Sequence, residues 1–161
     1  MNAIELLESQ HREVEQLFTR IEKAKSNDAK AKLFTDIADK LAVHATIEER
    51  HFYPAVKAKR TEDIVLESLE EHVGIKRVIA DLLETDAGDH TFDAKLAVLK
   101  EQVSHHVEEE ESELFPKVRK LFDVDRLEAV GQEMSAEQAE LEDDGDPRLS
   151  VPAQTGRVSE S

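Results

Sequence analysis

Cysteine is absent from the 161-residue chain. That excludes disulfides, thiolate zinc sites, Cys-ligated iron–sulfur clusters and cysteine nucleophiles. Any metal must therefore bind through imidazole and carboxylate. Tryptophan is also missing, tyrosine occurs once, and there are only five glycines. With so few aromatics and breakers among many Ala, Leu, Glu and Lys, an all-α chain is expected. Positive charge is scarce too. Lys and Arg number 21 against 37 Asp and Glu, a formal net charge of −16. Such a surface repels nucleic acid and anionic membranes and attracts cations. No apolar run approaches the ~20 residues of a membrane span. Met1-Asn2-Ala3-Ile4-Glu5 has neither the basic nor the apolar region of a signal peptide. The expectation is a cytoplasmic protein with no nucleic-acid or membrane partner, monomeric or weakly homo-oligomeric.

Four long helical patterns are present, separated by short breakers. The first runs from about Ala3 to Lys25, with Ile4, Leu7, Val14, Leu17, Phe18 and Ile21 on one stripe. The second runs from about Asp28 to Lys59, the third to about Thr85, and the fourth from about Thr91 to Phe122. Ser26-Asn27-Asp28, Arg60-Thr61-Glu62 and Asp86-Ala87-Gly88-Asp89 supply the turns. Amphipathic helices with such short connections imply an up-down-up-down four-helix bundle. A short fifth helix is expected from Val124 to about Glu142, which closes a domain over 1–142. The polar, Gly- and Pro-containing remainder, 143–161, reads as a disordered tail.

Two stretches match each other. His44-Ala-Thr-Ile-Glu48-Glu49-Arg-His51-Phe-Tyr53-Pro54 and His106-Val-Glu-Glu-Glu110-Glu111-Ser-Glu113-Leu-Phe115-Pro116 both read H-x-x-x-E-E-x-x-x-aromatic-P, 62 residues apart. A lone histidine recurs one helix earlier in each half, at His11 and His72, 61 residues apart. The chain is therefore a duplicated helix pair. Each of these residues stands where the apolar stripe requires a core residue, and a buried charge left unpaired costs several kcal/mol. A central cation would offset that cost.

The levels also agree. His11 is about 16 residues from the first turn and His44 about 17 beyond it, climbs of roughly 25 Å each. Within each motif His and Glu at i and i+4 share one helix face. Buried polar pairs without a metal would need six independent core replacements in one layer. Four His and two Glu exceed one structural zinc and suit two metals with bridging carboxylates. Iron is the first choice, with manganese second.

With these residues in place, the chain resembles the hemerythrin-like (HHE cation-binding domain) family. The resemblance covers about residues 4–140. It implies an up-and-down bundle with a non-haem, oxygen-reactive centre of two oxo- or hydroxo-bridged iron ions. The implied ligands are His11, His44, Glu48, His72, His106 and Glu110. Oxygen-carrying members have a further histidine one turn after the third-helix histidine, where this chain has Lys76. The resemblance is thus to the branch with fewer histidines, linked to peroxide, nitric oxide and iron stress.

Three neighbours of the ligand set carry expectations of their own. His51 lies about 20° from His44 around an ideal helix. It is the candidate catalytic proton donor, or else an additional ligand. Tyr53 falls about 180° from His44 and is expected to pack, unless the helix distorts before Pro54. Glu49 and Glu111 are expected beside the ligands or at the surface. The expected function is reaction with peroxide, oxygen or nitric oxide, catalase- or peroxidase-like, in oxidative or nitrosative stress defence. The alternative is a non-catalytic protein that binds or senses oxygen, nitric oxide or iron.

Overall fold

The structure is a computed structural model that describes residues 1–156. Helix α1 spans Ala3–Glu22 and α2 spans Asn27–Ile47. Glu48–Phe52 then forms a π-helical turn that runs directly into α3, Tyr53–Val56. Helix α4 spans Glu62–Leu83 and α5 spans Phe92–Glu109. A second π turn, Glu110–Leu114, leads into α6, Phe115–Leu121. The four arms of the bundle are thus α1, α2 with α3, α4, and α5 with α6. Local chemistry starts them. The side chain of Asn2 accepts from the Glu5 N–H while Glu5 returns the bond to the Asn2 N–H, a capping box. Ser26 caps α2 by accepting from the Ala29 N–H. Buried Thr61 turns the chain between arms by donating to the Val56 carbonyl at 2.6 Å and accepting from the Ala58 N–H at 2.8 Å.

The two π turns follow from the aromatic–proline pairs. Pro54 and Pro116 have no N–H to donate, so the α ladder is interrupted just before each of them. The preceding residues, Tyr53 and Phe115, donate to the carbonyls of Glu48 and Glu110, five residues back. Each turn therefore holds one residue more than an α-helix would, and every side chain after it is rotated by about 100°.

Helix α7, Val124–Asp143, is capped by Asp123 and packs against α1 and α2. Its bounds are those expected to within one residue, and with 20 residues it equals α1 in length. The expected tail disorder also fails over part of its range. Gly145 and Asp146 adopt positive φ and reverse the chain, and Pro147–Gln154 forms a 3-10 helix across α2 and α4. Arg148 holds it there, with its N–H 3.0 Å and its guanidinium 3.2 Å from Asp39. Polar composition argued for disorder, but one buried side chain, Val151, and this ion pair anchor the segment. The disorder expected of residues 157–161 lies outside the described residues. No described helix is long and apolar enough to cross a membrane.

Among the described residues, buried apolar side chains form two clusters. One contains Leu17, Phe34, Ile37, Ile79, Phe92 and Leu99; the other contains Leu7, Ile47, Phe52, Val65, Phe115 and Met134, over which α7 lies. Between them runs a single polar layer.

Candidate metal centre

His11, His44, His72, His106, Glu48 and Glu110 are all buried. The bundle brings all six together. Ligand-capable atoms of His11, His44 and Glu110 lie within 4.8 Å of one another, and so do those of Glu48, His72 and His106. Glu48 joins the two triads: its Oε1 is 3.1 Å from Nε2 of both His44 and His72. Nε2 of His11 is 3.1 Å from Glu110 Oε1.

All four imidazoles are held from behind through Nδ1. His11 Nδ1 donates to Glu111 at 2.7 Å, and His72 Nδ1 to Glu49 at 2.7 Å. His106 Nδ1 donates to Glu71 at 2.6 Å, and His44 Nδ1 to the amide oxygen of Gln10 at 2.7 Å. Carboxylate and amide oxygens only accept, so each Nδ1 carries the proton and each Nε2 faces the centre. The pattern obeys the duplication. Glu49 pairs with Glu111 at the 62-residue offset and Gln10 with Glu71 at 61, so Gln10 alone is uncharged.

Metal-free, this layer is short of positive charge. Burial lowers the affinity of His11, His72 and His106 for a proton, yet the surrounding carboxylates outweigh it and the three pKa values are raised. Burial would raise Glu48, but His44, Glu110 and His106 hold its pKa well below the usual carboxylate value. Nε2 of His72 and of His106 face each other at 3.1 Å, where at most one can donate. That spacing matches two adjacent ligands about 2.1 Å from one ion, which stand about 3.0 Å apart at a right angle. His44 Nε2 and Glu48 Oε2 are buried without a hydrogen-bond partner. The donors therefore fit two cations, each on two imidazoles and one carboxylate.

Two expectations change because of the first π turn. Five residues separate Glu48 from Tyr53, but the extra residue in the turn makes them neighbours on one face, as four would in an α-helix. The Tyr53 hydroxyl donates to Glu110 Oε2 at 2.6 Å. Its oxygen also lies 3.1 Å from Glu48 Oε1 and 3.3 and 3.4 Å from Nε2 of His72 and His106. Tyr53 is thus inside the centre and not a packing residue on the far face. Burial and the two carboxylates push its pKa well above the usual phenol value. Its counterpart Phe115 has no hydroxyl and stacks on His11 instead, 6.0 Å between ring centroids. His51 is turned the other way. Its Nε2 meets Glu137 of α7 at 2.5 Å, beside the ion pair of Arg50 with the same carboxylate, so the expected shared face with His44 does not form.

Lys76 is buried with Nζ 2.9 Å from Glu49, and so neutralises the carboxylate behind His72. Arg12 does the same for Glu111. His105 and Glu109 lie outside, near Glu71. Glu109 is raised to about 7, first by its hydrogen bond with Glu71 and then by burial.

A family model, that of the hemerythrin HHE cation binding domain, matches residues 2–118. The chain belongs to this family. All six clustered residues fall inside the match. Among solved structures, a hemerythrin HHE cation binding domain-containing protein from Mycobacterium kansasii superposes with a TM-score of 0.79. It is 22% identical, with 97% of this chain and 95% of that one covered, so it shows the hemerythrin fold alone. A curated relative from Nostoc sp., named DNA nickase, is 25% identical over 142 residues. Those residues are 88% of this chain and 40% of that protein, so the chain spans well under half of the relative's length.

Proposed function

We propose that this hemerythrin-family chain is a non-haem di-iron protein that reacts with peroxide, oxygen or nitric oxide. The observation that carries the reading is the pair of triads, each of two histidines and one glutamate. Two imidazoles and a carboxylate that leave other positions open are the typical setting of oxygen-reactive non-haem iron. His11, His44 and Glu110 would hold one ion and His72, His106 and Glu48 the other, with Glu48 placed to bridge. Two iron ions held there would supply two-electron redox chemistry toward small oxidants.

The protein's own residues do the rest. Glu49, Glu71, Glu111 and Gln10 fix the tautomer and direction of the four rings. Leu41, Ile79 and Val103 wall the space beside them and exclude bulk water. Tyr53 Oη stands where His51 was expected to act and holds the proton shared with Glu110. The Nostoc relative's name suggests DNA as a substrate, but a chain of net charge −16 is unsuited to a polyanion.

The test is stopped-flow mixing of the iron-loaded chain with excess hydrogen peroxide. Sustained consumption over many equivalents, two peroxides giving one dioxygen and two waters, is expected. A single spectral change with no consumption would show a binding or sensing protein and refute the catalytic reading.

A further inference from the structure

The duplication builds two equivalent seams, one between α2 and α4 and the other between α5 and α1. They are not closed in the same way. At the second seam, Val107 packs against the cluster that holds Phe18, and the two form the floor of an outer groove. Their counterparts at the first seam are Ala45 and Ile79, and alanine cannot reach across. A cavity of about 30 Å³ opens there and extends between the four arms, with His44, His72 and His106 on its wall and Val107 of the second seam lining it too. That is space for about two water-sized molecules. What closes it comes from outside the four arms. Val151, on the 3-10 segment Pro147–Gln154, lines the cavity and is fully buried, while its neighbours Ser150 and Pro152 are exposed. Arg148 with Asp39, and Arg77 Nε donating to the Thr155 carbonyl at 3.1 Å, pin the segment on both sides of it.

We propose that Val151 is the size-selecting residue of the centre: it seals the α2–α4 seam so that only molecules of two or three heavy atoms reach the imidazoles. The inference rests on the di-metal reading above for the identity of what is admitted, but not for the route. Hydrogen peroxide, dioxygen and nitric oxide fit the space; an organic hydroperoxide does not. The segment contributes one apolar side chain to an otherwise complete bundle, and that side chain is spent on the chamber beside the metal ligands.

Tyr53 allows a test without metal. It is the sole tyrosine in a chain without tryptophan, and its hydroxyl touches His72 and His106, whose rings line the chamber. Quenching of its emission by acrylamide is measured on the metal-free full chain for wild type, Val151→Ala, Val151→Ile and Val107→Ala. Val151→Ala is expected to raise the quenching constant, Val151→Ile to leave it at or below wild type, and Val107→Ala to change it less than Val151→Ala. In the iron-loaded proteins, Val151→Ala is expected to raise turnover of tert-butyl hydroperoxide relative to hydrogen peroxide by about tenfold. Unchanged quenching in Val151→Ala, or a larger rise in Val107→Ala, would overturn the assignment of Val151. Raised quenching with no peroxide turnover in any variant would leave Val151 as the seal and refute the catalytic reading instead.

Discussion

The uncharged Gln10 makes the two halves of the centre unequal, and Gln10→Glu should make them equal. Both histidines of the His72–His106–Glu48 triad are backed by carboxylates, whereas in the His11–His44–Glu110 triad only His11 is. A carboxylate on Nδ1 sits about 7 Å from an ion on Nε2, worth roughly 2.4 kcal/mol per unit of net charge on the ion and its bound carboxylate at an effective dielectric of ~20. Gln10 is buried, so desolvation of the new charge removes part of that gain. Gln138, now accepting from the Gln10 amide at 3.1 Å, can turn its own amide to donate to the carboxylate that the substitution introduces. About 1.4 kcal/mol should remain, a factor of about ten in affinity. Anaerobic titration with Fe(II) against a chelator should show two steps about tenfold apart in wild type, the tighter at His72 and His106. The variant should merge them by strengthening the weaker step. Glu71→Gln should merge them by weakening the tighter one. If Gln10→Glu weakens binding, or leaves the two steps as they were, backing charge does not set the order of loading.

Three further outcomes are expected. Tyr53→Phe removes the 2.6 Å bond to Glu110 from a fully enclosed site and should cost the metal-free protein about 1–3 kcal/mol in denaturant unfolding; equal stability would show that Glu110 finds another partner. At Gly131 an added Cβ would stand 2.5 Å from the Met1 carbonyl and 2.8 Å from the Ala3 nitrogen, so Gly131→Ala should push α7 off the N-terminus and cost about 1–3 kcal/mol. Burial would raise Glu137, but His51 and Arg50 hold its pKa below the usual carboxylate value. Its contribution is therefore present above about pH 4.5 and lost as pH falls through the lowered pKa, so wild type and Glu137→Gln should differ in melting temperature near neutrality and converge on acidification.

Much of the centre was legible because a helix has a fixed period. His44 and Glu48, and His106 and Glu110, are four residues apart and reach no further than the first residue of each π turn, before the phase shifts, so face arithmetic placed them together. His11 and His72 replaced apolar residues in otherwise continuous stripes. The same arithmetic failed for His51 and Tyr53, which lie at or beyond a π turn where one extra residue shifts the phase. The signal was in the sequence as the repeated aromatic–proline pair, since a proline inside a helical pattern marks a break in the ladder. The Nδ1 partners Gln10 and Glu71 were harder to find. They directly precede His11 and His72 in sequence, yet each reaches a histidine on a neighbouring arm, a contact that no single-helix pattern encodes. The Pro147–Gln154 segment escaped composition for a similar reason: one valine and one arginine anchor it, too few to form a period.

The most direct test of the di-metal centre is metal content and thermal stability measured together on the full chain, supplied with iron and then stripped. About two irons per chain, with the loaded form melting well above the stripped form, is expected from two triads that bind only when folded. No bound iron, or one ion with equal melting of both forms, would mean that the buried histidines and glutamates serve only one another.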